Sequence, residues 1–203
     1  MPAASATLPP DDASAILDFW FLPADHLQHG EFRREWFRRD DAFDATIRDN
    51  FAPLIETALA GGLGEWEATA AGALARILLL DQFTRNSFRG TARAFAGDAA
   101  ALAIAERLVG SGRDKNLPPL MRWFAFMPFE HSETLIDQER SVALFAGLRR
   151  EGQHPAFDSA YDYAVQHRAA IERFGRFPGR NAMLGRISTP EELAALDAGE
   201  FRF

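Results

Sequence analysis

The chain has 203 residues, 47% of them apolar and 25% charged, which suits one globular domain with a sizeable core. It contains no cysteine, so disulfides, thiolate metal sites and a cysteine nucleophile are excluded, and its 29 acidic against 22 basic residues (net −7) argue against nucleic acid as a partner. No uncharged apolar run approaches the ~18 residues of a membrane span. The first basic residue is Arg33, so a cytoplasmic protein with no membrane association and no secretory signal is expected.

Residues 1–10, small and proline-rich, read as a flexible arm, and residues 11–203 as a single helical domain. Asp11 or Asp12 caps a short helix through Ile16, Leu17, Phe19 and Trp20, and Pro23 ends it. A second helix is predicted from about Phe32 to Phe37 and a long one from about Asp40 to Ala60. The long one carries Phe43, Ile47, Phe51, Ile55 and Leu59 at helical spacing, with Gly61-Gly62 as its stop. Residues 66–83 form a strongly apolar helix, followed by a polar turn, Thr84-Arg85-Asn86-Ser87. Asp98 caps a helix to Gly110, and Pro118-Pro119 opens a short aromatic one. Pro128 starts a helix to about Arg150 with Leu135, Ile136, Val142, Phe145 and Leu148 inward; another runs from about Phe157 to Phe174. Thr189-Pro190-Glu191-Glu192 is a capping box opening a last helix. No segment alternates with period two, so the fold class is all-α, with eight or nine antiparallel helices.

Three polar clusters carry candidate chemistry. In the first, Pro128 places Glu130 and His131 in a helical first turn, where His131 serves as general acid or base with Glu130 or Asp137 orienting it. Plain dipole complementarity is the simpler account. Glu133 and Asp137 lie four apart and need an offsetting cation or arginine. In the second, residues 166–187 hold Arg168, Arg173, Arg176, Arg180 and Arg186 against one acid, Glu172. Such a cluster demands either acids of the same chain or a bound anion. Apart from Lys115 every basic residue is arginine, a coding bias that weakens the significance of any one of them. The third cluster is Asp81-Gln82 with Arg85, Asn86 and Arg89, where Asp81 to Arg85 also fits an ordinary i,i+4 ion pair. Trp20, Trp36, Trp123 and Phe126 read as core, and His167 as a satisfied core residue. His26 and His29 are too few for a metal site, and neither a metal nor a cofactor is expected.

Three segments carry a family resemblance. They are Leu78-Leu79-Leu80-Asp81-Gln82-Phe83-Thr84-Arg85-Asn86-Ser87-Phe88-Arg89-Gly90; Met127-Pro128-Phe129-Glu130-His131-Ser132-Glu133 with Asp137-Gln138-Glu139-Arg140; and Arg173-Phe174-Gly175-Arg176-Phe177-Pro178-Gly179-Arg180-Asn181. In order and spacing, over about residues 14 to 197, the chain resembles the DUF924 family of bacterial proteins. The resemblance implies a tetratricopeptide-like array of antiparallel helix pairs, although no 34-residue repeat is visible in this sequence, and it implies no activity. The chain departs from the family pattern at Thr84, where proline is usual and where a looser turn under Arg85 is expected. It departs again at Gly179, where a bulkier or imidazole side chain is expected.

If the helix-end turns gather at one face, the clusters form one polar pocket. Its ligand-facing residues are then Asp81, Gln82, Arg85, Asn86 and Arg89 from the first half of the chain, with Glu130, His131, Gln138, Arg176, Arg180 and Asn181 from the second. The first expectation is a binding protein for an anionic small molecule or an acidic peptide end. The alternatives are a hydrolase or transferase with His131 as general acid or base, and a scaffold whose salt bridges lock helix ends. The oligomeric state is not legible.

Overall fold

Asp40 stands in an extended conformation and its Oδ1 accepts hydrogen bonds from the N–H groups of Ala42 and Phe43 (3.0 and 3.1 Å). That cap starts a helix at the position the sequence predicts. The computed structural model describes residues 11–152 and 154–201; the arm expected over residues 1–10 lies outside them. The helices are α1 (Asp11–Phe21), α2 (Asp41–Leu59), α3 (Ala70–Ile77), α4 (Thr84–Ser87), α5 (Asp98–Gly110), α6 (Pro119–His131), α7 (Leu135–Glu151), α8 (Ala156–Phe174) and α9 (Pro190–Asp197). A π-helical stretch, Leu78–Phe83, joins α3 to α4, so the nine segments form eight rods, and no strand occurs among the described residues.

The rod from α3 to α4 is the axis of the fold. Every residue from Gly72 to Thr84 is buried, so the rod carries apolar residues on all sides rather than on one face, and its polar residues Arg76, Asp81, Gln82 and Thr84 are buried with them. Helices α1, α5 and α6 pack on α3, and α6, α7 and α8 follow one another as packed neighbours. Trp20, Trp36, Trp123 and Phe126 all lie in the core, as expected. Trp36 packs edge-on against Phe124 at 4.8 Å, and its indole N–H donates to the Trp20 carbonyl (2.9 Å). A small second cluster of Ala170, Ile171 and Phe177, with Phe201 against it, holds the C-terminal region.

Several boundaries differ from the sequence expectation. The segment at 32–37 yields only a 3₁₀ turn, Arg34–Trp36. The polar stretch 84–87 is helical rather than a turn, because the π segment carries the rod on into α4. Asp98 is the first residue of α5, not its cap, because its carboxylate is drawn to Arg85 and Arg180. Pro128 does not open a helix; it lies inside α6, whose start is set by Pro119. The chain breaks at Ser132, and Thr134 caps α7. Leu135 and Ile136, expected to point inward, are therefore 43% and 75% exposed. Glu130 and His131 consequently end a helix rather than begin one, and the dipole argument for them is reversed. The capping box at Thr189 and Glu192 is present as read.

One close approach fixes the register between α5 and the central rod. A Cβ on Gly97 would lie 2.1 Å from the Leu80 carbonyl oxygen, inside any real contact distance. Gly97 therefore lets the start of α5, with Asp98, rest directly on the π segment. Gly97→Ala is expected to destabilise the protein by roughly 1–3 kcal/mol through enforced backbone displacement. Gly179→Ala meets no atom nearer than 4.0 Å and is expected to be close to neutral. Chemical denaturation of the two variants beside the parent checks both.

Candidate functional site

A π turn holds one residue more than an α turn, so the buried register slips along Leu78–Phe83. Asp81 and Gln82 thereby follow Leu78, Leu79 and Leu80 into the interior instead of ending the helix in solvent. Thr84, the position at which the resemblance implies proline, does not loosen this turn. It is fully buried, and its hydroxyl donates to the carbonyls of Leu80 (2.8 Å) and Asp81 (3.2 Å).

Asp81 has no solvent exposure, and both of its oxygens are occupied. Oδ1 lies 2.6 Å from His131 Nδ1 and 3.0 Å from Arg85 Nη1; Oδ2 accepts from Gln82 Nε2 (2.5 Å). Burial alone would neutralise this carboxyl, but the Arg85 cation and His131 outweigh it and hold Asp81 well below the usual carboxylate range. His131 is shifted the other way. Burial, then the Arg85 cation, depress it more than Asp81 raises it, so the imidazole is neutral at pH 7. A neutral ring facing a carboxylate at Nδ1 carries its proton there, and its Nε2 presents a lone pair. No hydrogen-bond partner occupies Nε2 among the described residues.

His131 opens into a cavity of about 320 Å³. The 3₁₀ turn Pro178–Arg180 delivers Arg180 to it from the far end of the chain. The guanidinium lies between Phe95 (4.8 Å from its ring centre) and Phe177 (4.5 Å). Its one hydrogen bond among the described residues, Nη1 to Asp98 Oδ2 at 3.2 Å, uses a carboxylate that already accepts two bonds from Arg85. Burial and the adjacent Arg85 cation lower the Arg180 pKa to about 10. Asn86 and Arg89 reach the cavity as well, both anchored from behind on buried Asp44. Arg38 and Arg39 form the exposed rim together with Phe37, and the buried Trp36 lines the cavity beneath them. Among the described residues, five arginines and no acid thus line the cavity, alongside Phe95, Met127 and Phe177.

Of the residues singled out from the sequence, Gln82, Arg85, Asn86, Arg89, His131 and Arg180 meet at this cavity, with Asp81 directly beneath. The others have structural work. Glu130 does not orient His131; its Oε1 faces His167 Nδ1 at 3.3 Å. Burial, and then the Asp81 charge, push Glu130 up to about 8, while burial and His131 push His167 down to about 3. Both are therefore uncharged at neutral pH and do not form an ion pair. His167 is a buried helix residue as expected, yet it also lines the cavity. Asp137 accepts from the hydroxyls of Ser132 (2.7 Å) and Thr134 (2.5 Å) at the start of α7, away from His131. Gln138 donates to the carbonyls of Phe129, Glu130 and Ser132, satisfying the orphan acceptors at the end of α6. Arg176 and Asn181 both bond Glu192, whose pKa falls to about 2 chiefly through Arg176, and neither reaches the cavity. Glu133 takes the arginine partner anticipated for it, Arg186 at 2.6 Å. Among the described residues no group of three or more His, Cys, Asp or Glu is placed to hold a metal ion.

Arg38, Arg39, Phe95, Met183 and the bridging Asp98 carry no local signal in the sequence. Asp98 was legible only as a cap, because nothing local shows two arginines converging on it from 13 and 82 residues away.

The Glu130 carboxyl gives this region a pH signature. Its folded-state pKa of about 8 lies above the ordinary 4.5. Between those values the folded protein keeps a proton that the unfolded chain has released, so stability falls as pH rises through that window. Glu130→Gln removes this loss. The variant is expected to melt close to the parent near pH 5 and several degrees above it near pH 8, as thermal unfolding at the two pH values would show.

No curated protein matches the chain. It is similar to the solved structure of a protein of unknown function from Agrobacterium tumefaciens, with 36% identity and a TM-score of 0.80 over 92% of this chain and 97% of that one. No helix of the described residues is long and apolar enough to cross a membrane. The profile of a family described as "Bacterial protein of unknown function (DUF924)" matches residues 16–200, nearly the whole chain, and the chain belongs to that family.

Proposed function

We propose that this is a cytoplasmic binding protein, built on a tetratricopeptide-like array, whose cavity takes a small anionic molecule with an apolar body. The observation that carries this is Arg180. Its guanidinium is largely buried, shares its one carboxylate with Arg85, and has no acceptor for Nε or Nη2 among the described residues. A buried cation so poorly compensated gains from an incoming carboxylate or phosphate, which the fork can hold bidentately. The aromatic walls suit an apolar body beside the charge, and about 320 Å³ is small-molecule size rather than that of a folded peptide segment. An acidic peptide end would enter only by its terminal carboxylate. Support for the array comes from α6, α7 and α8 packing in succession.

Thermal shift and calorimetry with inorganic phosphate and with 3-phenylpropionate test the proposal. Both probes are expected to stabilise the parent, 3-phenylpropionate more strongly. Arg180→Met, which keeps the aliphatic stem between Phe95 and Phe177, is expected to weaken 3-phenylpropionate at least tenfold while melting within a few degrees of the parent. A variant that melts far lower, in a parent that neither probe stabilises, would leave Arg180 as a helix-end lock in a scaffold.

A further inference from the structure

Resting on that reading of the cavity as an anion site, we propose that it is also a hydrolytic site, in which His131 Nε2 is the general base that activates water against an ester carrying a carboxylate. Three observations lead there. Asp81 holds His131 by Nδ1 at 2.6 Å and is itself pinned by Arg85 and Gln82, so ring orientation and tautomer are both fixed from behind. The remaining ring nitrogen has no protein partner and belongs to a residue that lines the cavity. The described lining contains no hydroxyl, thiol or amine side chain, so the base has no protein nucleophile to activate and acts on water instead.

The step balances within the cavity. As the water oxygen bonds to the acyl carbon, its proton passes to Nε2 and the carbonyl electron pair moves onto the carbonyl oxygen. The free N–H groups of the Arg180 fork receive that oxyanion beside the substrate's own carboxylate. Collapse of the intermediate breaks the bond to the alcohol oxygen, which takes the proton back from Nε2. The products are a carboxylic acid and an alcohol, and His131 returns to its neutral form.

Titratable and charged groups from three other elements face this imidazole. They are Asp81 and Arg85 on the central rod, Arg180 on its 3₁₀ turn, and His167 on α8. Burial first, and then the two arginines, keep the ring deprotonated at neutral pH, which is the state a general base needs.

The test uses 4-nitrophenyl hemisuccinate, which joins an aromatic ring, an activated ester and a free carboxylate. The parent protein is expected to hydrolyse it at least 100-fold faster than His131→Gln does, with the rate holding through neutral pH and falling only on the acid side of the ordinary imidazole range, where the ring protonates. The parent is expected to bind 3-phenylpropionate. Binding by the parent without a rate above that of His131→Gln overturns the base and leaves the anion site standing. Failure of the parent to bind 3-phenylpropionate overturns the anion site and the base with it. If His131→Gln does not fold, nitrogen-15 spectra of the parent's histidines decide: a ring protonated on Nε2, or charged at pH 7, overturns the proposal.

Discussion

A carboxylate with no access to water, kept ionised, is the constraint around which this molecule is arranged. Asp81 can stay charged only because Arg85, Gln82 and His131 all bond to it. Removing one partner from such a buried pair costs about 3–5 kcal/mol, so the three partners and the helices that carry them are tied together. Arg85 comes from the same rod, one turn on, whereas His131 comes from the end of α6, 50 residues away. The clamp of Gln138 on the last carbonyls of α6 and the contact of Gly97 with Leu80 are what hold those distant pieces in register.

This explains what the sequence revealed and what it concealed. Periodicity and capping are local, so Asp40, Thr189, Pro119 and the stripe along α2 placed their helices correctly. Pro128 misled because proline favours the first turn of a helix, yet a well-packed helix can also carry one inside. The candidate cluster at 81–89 was legible as polar residues beside an apolar run, but not as buried ones. The π register that turns Asp81 and Gln82 inward has no compositional mark. His131 stood out, while its true partner did not: Glu130 and Asp137 are near in sequence, and Asp81 is near only in space.

The basic stretch at 166–187 shows how an acidic chain disposes of a local positive excess. Arg168 pairs with Glu172, Arg173 with Glu191 and Glu200, Arg176 with Glu192, and Arg186 with Glu133. Four of the five arginines thus find carboxylates of their own, which is the bland outcome for a charge cluster. Arg180 differs in sharing Asp98 with Arg85 and in facing inward. Set against a chain-wide preference for arginine, it is this difference in pairing, not the residue type, that distinguishes it.

The inner and outer arginines of the cavity are suited to different tasks. Arg85 and Arg180 are held by Asp98 and, for Arg180, by two aromatic faces, so an anion arriving there orders few side chains and loses little entropy in doing so. Arg38 and Arg39 stand exposed at the rim and keep their hydration, Arg39 in an exposed ion pair with Asp41 (3.1 Å). Charges of that kind contribute little to affinity but shape the local potential and raise the rate of encounter with an anion. Because exposed charges are screened by salt and buried ones much less so, ionic strength would separate the two sets under the proposed anion-binding reading: the rim would govern how fast an anion arrives, and the inner pair how long it stays.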